Sequence, residues 1–226
     1  MKKRLIVFDV DGTLCESRKQ ADIEMINLLN ELSHSYDVAL FSGADKERIQ
    51  TQVASQLSFV PFIGEYSSAR ITLDMEVICD KKLDMEDISI IKHRFGLINT
   101  NPKSLLDIRP YQITYYIVNP EFATDKERNT ADPTTTLRRN IIKQLDLTDY
   151  NVRIGGKTSI DVNLKNVSKR HGVDVLKKHL KLKDSEILFI GDRCFKGGND
   201  YMEDIYESKQ VTGPRHTKQI IRRLLE

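Results

Sequence analysis

Apolar residues along this chain follow two different rhythms. Leu5–Asp9 is a short run, apolar up to its final acid, and "DVALFSG" (37–43) and "SEILFIGD" (185–192) repeat the design. Such runs, without alternation, predict strands buried on both faces of a parallel sheet. After the first of them, Ile23, Ile26, Leu28, Leu29 and Leu32 recur at helical spacing and predict a helix of about three turns. "DKERIQTQVASQL" predicts another helix, capped by Asp45 or Ser42. "SKRHGVDVLKKHLKL" and the closing "GPRHTKQIIRRLLE" predict two more. Strand and helix in alternation are the signature of a doubly wound α/β unit.

From about residue 80 the rhythm changes. "LLDIRPYQITYYIVNP" (105–120) is long, aromatic and β-branched, and "VRIGGKTSIDVNL" (152–164) alternates apolar with polar residues. Each predicts a strand with one solvated face, hence an antiparallel sheet. A polar segment and a helix over roughly 134–145 lie between them. The expected organisation is an α/β core of residues 1–79 and 168–226, interrupted by an inserted α+β cap of residues 80–167.

Composition narrows the class without naming a chemistry. With 39% hydrophobic and 30% charged residues among 226, the chain reads as an ordinary globular protein. A net charge of +2 makes no general case for nucleic acid as a partner. No run approaches the roughly 18 apolar residues that span a bilayer, so no membrane association is expected. The amino terminus has lysines before an apolar stretch, but Leu5–Phe8 is too short for a signal peptide, and a cytoplasmic location is expected. Cys15, Cys79 and Cys194 lie far apart and are odd in number, which suggests reduced thiols.

The chemistry-bearing residues gather at the carboxyl ends of the expected strands, the edge where open parallel sheets bind ligands. Asp9 and Asp11 follow the first strand, Ser42 the second, and Asp192, Asn199 and Asp200 the last; Lys169 opens a helix, with Arg170 beside it as the other basic candidate. A carboxylate can attack phosphorus and form an aspartyl-phosphate. Carboxylates also suit a hard cation such as Mg2+. A hydroxyl and an ammonium can hold the phosphoryl oxygens during transfer.

"DVDGT", "FSG", "SKRHG" and "GDRCFKGGND" resemble, in order, the four motifs of the haloacid dehalogenase superfamily of phosphotransferases. The resemblance implies a Rossmann-like core with a type-two cap, Asp9 as nucleophile and Asp11 as general acid and base. It implies Asp9, Gly12, Thr13, Ser42, Gly43 and Lys169 around the phosphate. Mg2+ would be held by Asp9, the Asp11 carbonyl and Asp192, with Asn199 and Asp200 supporting the metal and Lys169.

Further motifs are similar to those of eukaryotic-type phosphomannomutases. "DVDGTLCESR" ends in Arg18, "DIR" in Arg109, and "IGGKTSIDV" contains Ser159 and Asp161. The resemblance implies Arg18 and Arg109 as substrate ligands, Arg109 for a distal phosphate, and Ser159 and Asp161 as ligands of sugar hydroxyls. That family follows its cap strand with a Pro-x-Gly-Arg turn; "NPEFAT" has no arginine there, and Arg128 aligns with it only through a gap.

The expected enzyme moves phosphate between the 6- and 1-positions of a hexose, mannose above all. A hexose bisphosphate activator and a homodimer paired through the cap are implied with it. The same catalytic residues also serve a sugar-phosphate phosphatase, which needs fewer cap arginines because it holds no second phosphate. The third reading, an inactive sugar-phosphate-binding protein, is opposed by the intact acids and lysine.

Overall fold

Leu5–Asp9 (β1) is buried at all five positions, and its residues divide alternately between two cores. Ile6 and Phe8 pack with Met25, Ile26 and Leu29, three residues of the helix Ile23–Leu32 (α1), whereas Leu5 and Val7 belong to the core of the opposite face. This is what an unbroken apolar run requires, because successive strand side chains point to opposite sides of the sheet. The computed structural model describes residues 3–98, 102–202 and 204–226. Asp37–Phe41 (β2) runs parallel to β1, and Lys46–Gln52 (α2) follows it. Of the two residues expected to cap α2, Asp45 does so, its carboxylate accepting from the Arg48 N–H at 2.9 Å.

Three strands that no periodicity marked come next. Phe62–Glu65 (β3) is parallel to β2, while Arg70–Leu73 (β4) and Glu76–Asp80 (β5) continue the sheet antiparallel. They are four or five residues long, too short for a repeat of two to stand out from their turns.

The chain divides into two compact units, Met1–Asp80 with Ser168–Glu226, and Lys81–Val167. In the second, Met85–Ile98 (α3) precedes a correction to the expected long strand. Residues 105–120 form a hairpin, Leu105–Ile108 (β6) and Ile113–Tyr116 (β7), closed by Arg109 N–H donating to Gln112 O at 3.1 Å. Pro110 has no N–H for a ladder, so the alternation carries on through a turn that the strand does not survive. Asp125–Thr130 (α4) starts with a capping box between Thr124 and Glu127, and Thr136–Leu145 (α5) follows.

Residues 152–164 are likewise two strands, Tyr150–Ile154 (β8) and Ser159–Leu164 (β9), around Gly155–Gly156. The antiparallel order is β6-β7-β9-β8. One face, with Ile113, Ile160 and Val162, packs on Ile91 and Phe95 of α3 and Ile141 and Leu145 of α5. Tyr115 joins this core, stacked on Phe95 with ring centroids 4.9 Å apart.

The first unit is completed by Lys169–His179 (α6), Ile187–Gly191 (β10), Glu207–Gln210 (β11) and Pro214–Leu225 (α7). Its seven-stranded order is β11-β10-β1-β2-β3-β4-β5. The expected doubly wound α/β architecture is present: α1 and α7 supply Leu29 and Ile221 to one core, and α6 supplies Val173 and Leu176 to the other. Because β10, β1 and β2 are parallel neighbours, the segments following each of them leave the same edge of the sheet.

Candidate active site

Asp9 shares the side of β1 that carries Leu5 and Val7, by the period of two, and so points toward the α6 layer. There it meets Lys169, the first residue of α6. The Lys169 ammonium is fully buried; it donates to Asp9 Oδ1 and, at 2.6 Å, to Asp200 Oδ1. A cation at a helix amino terminus opposes the helix dipole, and its burial is tolerable only beside such partners. Those two carboxylates also push the Lys169 pKa above its ordinary value despite the burial. Arg170 is engaged elsewhere, with Asp174 at 3.0 Å.

The second Asp9 oxygen accepts from Thr13 Oγ1 at 3.1 Å, and Thr13 is itself anchored by Thr217 Oγ1 of α7, which donates to the Thr13 carbonyl at 2.7 Å. Gly12 has φ +86°, and a Cβ there would sit 2.9 Å from Asp192 Oδ2. That position therefore calls for glycine twice, by conformation and by space. Ser42 is buried one residue past Phe41, the β2 partner of Asp9, and its Oγ accepts from Ala44 N–H at 3.0 Å. Gly43 adjoins it in that turn.

Asp9, Asp192 and Asp200 each offer an oxygen within 4.8 Å of the others. One ammonium cannot neutralise three carboxylates. Burial, with Asp200 and Asp192 nearby, outweighs Lys169 and pushes the Asp9 pKa up to about 8. Asp192 is also raised, by burial first and then by Asp200. Asn199 Oδ1 is buried without a hydrogen-bond partner among the described residues. Surplus negative charge and an orphaned amide oxygen together fit a bound cation. Asp200 has its oxygens engaged by Lys169 and by the Arg193 N–H at 3.1 Å, which suits an orienting role better than ligation.

Asp11 stands apart from that cluster. Its carboxylate accepts from the Arg18 N–H at 2.8 Å, from Arg48 Nη2 at 3.2 Å and from Gln52 Nε2 at 3.0 Å. The Arg18 side chain is exposed. Arg48 and Gln52 carry no signal in the sequence: they occupy positions i and i+4 of a helix whose direction only the fold supplies.

In the second unit, Ser159 and Asp161 share one face of β9, opposite the core residues Ile160 and Val162. A Cβ on Gly155 would lie 2.2 Å from Ser159 Oγ and 2.4 Å from Asp161 Oδ2, so the glycine leaves room for both. Thr114 Oγ1 donates to Asp161 at 3.0 Å. Arg109 is paired with Asp107 at 2.9 Å, and Arg128 of α4 with Asp125 at 2.5 Å and the Pro120 carbonyl at 3.1 Å. Tyr116 lies one residue from Tyr115 and so on the opposite, polar face.

The chain matches a model of the eukaryotic phosphomannomutase family over residues 10–226. Phosphomannomutase from Dendrobium officinale is 26% identical over 237 aligned residues, spanning 92% of this chain and 87% of that protein. The enzyme of the same name from Encephalitozoon cuniculi is 26% identical, spanning 94% and 88%. Among solved structures, N-terminally truncated, IMP-bound Plasmodium falciparum IMP-nucleotidase superposes with a TM-score of 0.71 at 16% identity, over 99% of this chain and 68% of that one. A haloacid dehalogenase-like hydrolase from Bacteroides thetaiotaomicron gives 0.68 at 14% identity, over 99% and 100%. At such identities the structural matches speak to the fold alone.

Proposed function

Because the chain belongs to the eukaryotic phosphomannomutase family, we propose that it moves phosphate between the 6- and 1-positions of a hexose, mannose first, through phospho-Asp9. It is an enzyme of the haloacid dehalogenase superfamily, a phosphotransferase or phosphatase. The observation carrying the proposal is the buried Asp9 carboxylate, held by Lys169 and Thr13 beside two further acids. An Asp9 oxygen attacks phosphorus, and Asp11 protonates the departing sugar oxygen and later takes the proton of the acceptor. Ser42, Gly43, Gly12, Thr13 and Lys169 are assigned to the phosphoryl oxygens. Arg18, Arg109, Arg128, Ser159 and Asp161 are assigned to the substrate.

Mg2+ is the proposed cation, because the donors are all oxygen. Asp9, Asp192 and the Asp11 carbonyl would hold it, with Asn199 and Asp200 in support. When bound it would neutralise the acids and polarise the phosphoryl group. With a folded pKa of about 8 against an ordinary 3.8, Asp9 costs the metal-free protein stability as pH rises through that interval. A cation takes the ionised form and competes with the proton below it. Adding Mg2+ should therefore raise the thermal midpoint more at about pH 8.5 than at about pH 6. Equal shifts at both would count against the cluster as its site.

Mannose 1-phosphate supplied with a catalytic amount of hexose bisphosphate should yield the 6-phosphate faster than free phosphate. Sustained phosphate release without isomer would favour hydrolysis. One observation gives that second reading weight. Arg109, assigned to a distal phosphate, and Arg128, assigned to the substrate, already have carboxylate partners in Asp107 and Asp125. Pairing with a second copy belongs to the proposal by family alone, and a cytoplasmic location by the reading of the amino terminus; among the described residues, no helix is long and apolar enough to cross a membrane.

A further inference from the structure

Asp11 collects more donors than a turn needs, and they are shared unequally. Oδ1 accepts from the Arg18 N–H at 2.8 Å, Gln52 Nε2 at 3.0 Å and Arg48 Nη2 at 3.2 Å. Oδ2 has only the second Arg48 contact, at 3.2 Å. Arg48 and Gln52 are four residues apart on α2 and present one face. Gln52 Nε2 also reaches the Lys19 carbonyl at 3.3 Å and Cys15 Sγ at 3.5 Å, so it grips the loop that carries Asp11. Arg18 adopts φ +65°, a costly conformation for a residue with a side chain, at the point where its N–H meets Asp11. The Arg48–Asp11 pair is about a third exposed on the arginine side, and pairs so solvated add little stability. Its value lies in orientation.

We propose that Arg48 and Gln52 are positioning residues that pin Oδ1 of Asp11 and leave Oδ2 as the oxygen that carries the proton. The inference rests on the phosphoryl-transfer reading above. In the first half-reaction an Asp9 oxygen bonds to phosphorus and the phosphorus–oxygen bond to the sugar breaks. Its electron pair stays on the sugar oxygen, which receives the proton from Asp11 Oδ2. In the second half, Oδ2 takes the proton of the acceptor hydroxyl while that oxygen bonds to phosphorus and the bond to Asp9 breaks, restoring the Asp9 carboxylate and the protonated Asp11. An unpinned carboxylate can rotate and offer either oxygen; two donors that serve Oδ1 alone, with Arg48 Nη2 spanning both oxygens at 3.2 Å, remove that freedom.

The test contrasts leaving groups. A sugar alkoxide needs the proton to depart, whereas 4-nitrophenolate does not. Arg48→Ala should lower kcat for the hexose phosphate by about a hundredfold with little change in KM, the scale of a misplaced catalytic group. The nitrophenolate burst from 4-nitrophenyl phosphate should fall at least about tenfold less, since that step asks nothing of the acid. Arg48→Lys should restore part of the loss, and Gln52→Leu should reproduce the pattern in smaller measure. An equal loss with both leaving groups in Arg48→Ala and Gln52→Leu, or no loss with the hexose phosphate, would overturn the clamp alone. A wild-type chain that forms no phosphoenzyme from either compound would overturn the transfer reading, and the clamp with it.

Discussion

Asp9→Asn is expected to remove at least about a thousandfold of turnover while making the metal-free protein more resistant to heat at high pH. The amide keeps the shape of the side chain, and its oxygen can still accept from Lys169, but it has no carboxylate to attack phosphorus. The gain in stability comes from the same site. Asp9 carries its charge only above a pKa of about 8, because burial and the nearby Asp200 and Asp192 resist ionisation. Above that pH the wild type adds the Asp9 charge to a cluster with Asp192 and Asp200, and the variant does not. Below about pH 4 Asp9 is protonated in both folded and unfolded chains, so the two proteins should then melt together. Isomer and phosphate release, with melting curves from pH 4 to 9, check both parts. Retained turnover would remove Asp9 as nucleophile; a variant less stable at high pH would contradict the account of the cluster.

Lys169→Met is expected to be the most destabilising single change at the site, about 3–5 kcal/mol near neutral pH without metal. Its ammonium is wholly buried and answers Asp9 and Asp200 together. Methionine matches the chain in length but leaves the Asp200 carboxylate fully buried without its cation, beside an Asp9 that is protonated at that pH. Adding Asp200→Asn to that variant should recover much of the lost stability and none of the turnover, since the phosphoryl oxygens would still lack their cation. Urea unfolding of the two variants and the wild type measures this. A single variant as stable as the wild type would show that the ammonium is not neutralising the buried acids.

The parts of the fold legible in the sequence are those where one periodicity runs undisturbed through an element. Leu5–Asp9 had to be a doubly buried strand because nothing polar interrupts it before Asp9. The helix Ile23–Leu32 was equally plain from its apolar stripe. The hairpins were not, since alternation passes through "DIRPYQ" and "RIGGKTS" as if each were a strand, and only ladder pairing reveals where the chain turns back. β3 to β5 escaped because each is shorter than the window needed to see a period.

At the site the division is similar. The acids, the lysine and their order along the chain were visible because motif and strand end coincide, and the family resemblance rests on that order. The sequence by itself therefore determined which residues could attack, transfer a proton or hold a cation, for these are properties of side-chain chemistry and of neighbours a few positions away. Only the tertiary structure decided which charge answers which. Lys169 meets an aspartate 160 residues distant, and Asp11 is held by an arginine 37 residues on, from a helix whose facing surface no local pattern specifies. Charge pairing acts through space, and the spacing is set by the packing of two cores on either side of one sheet.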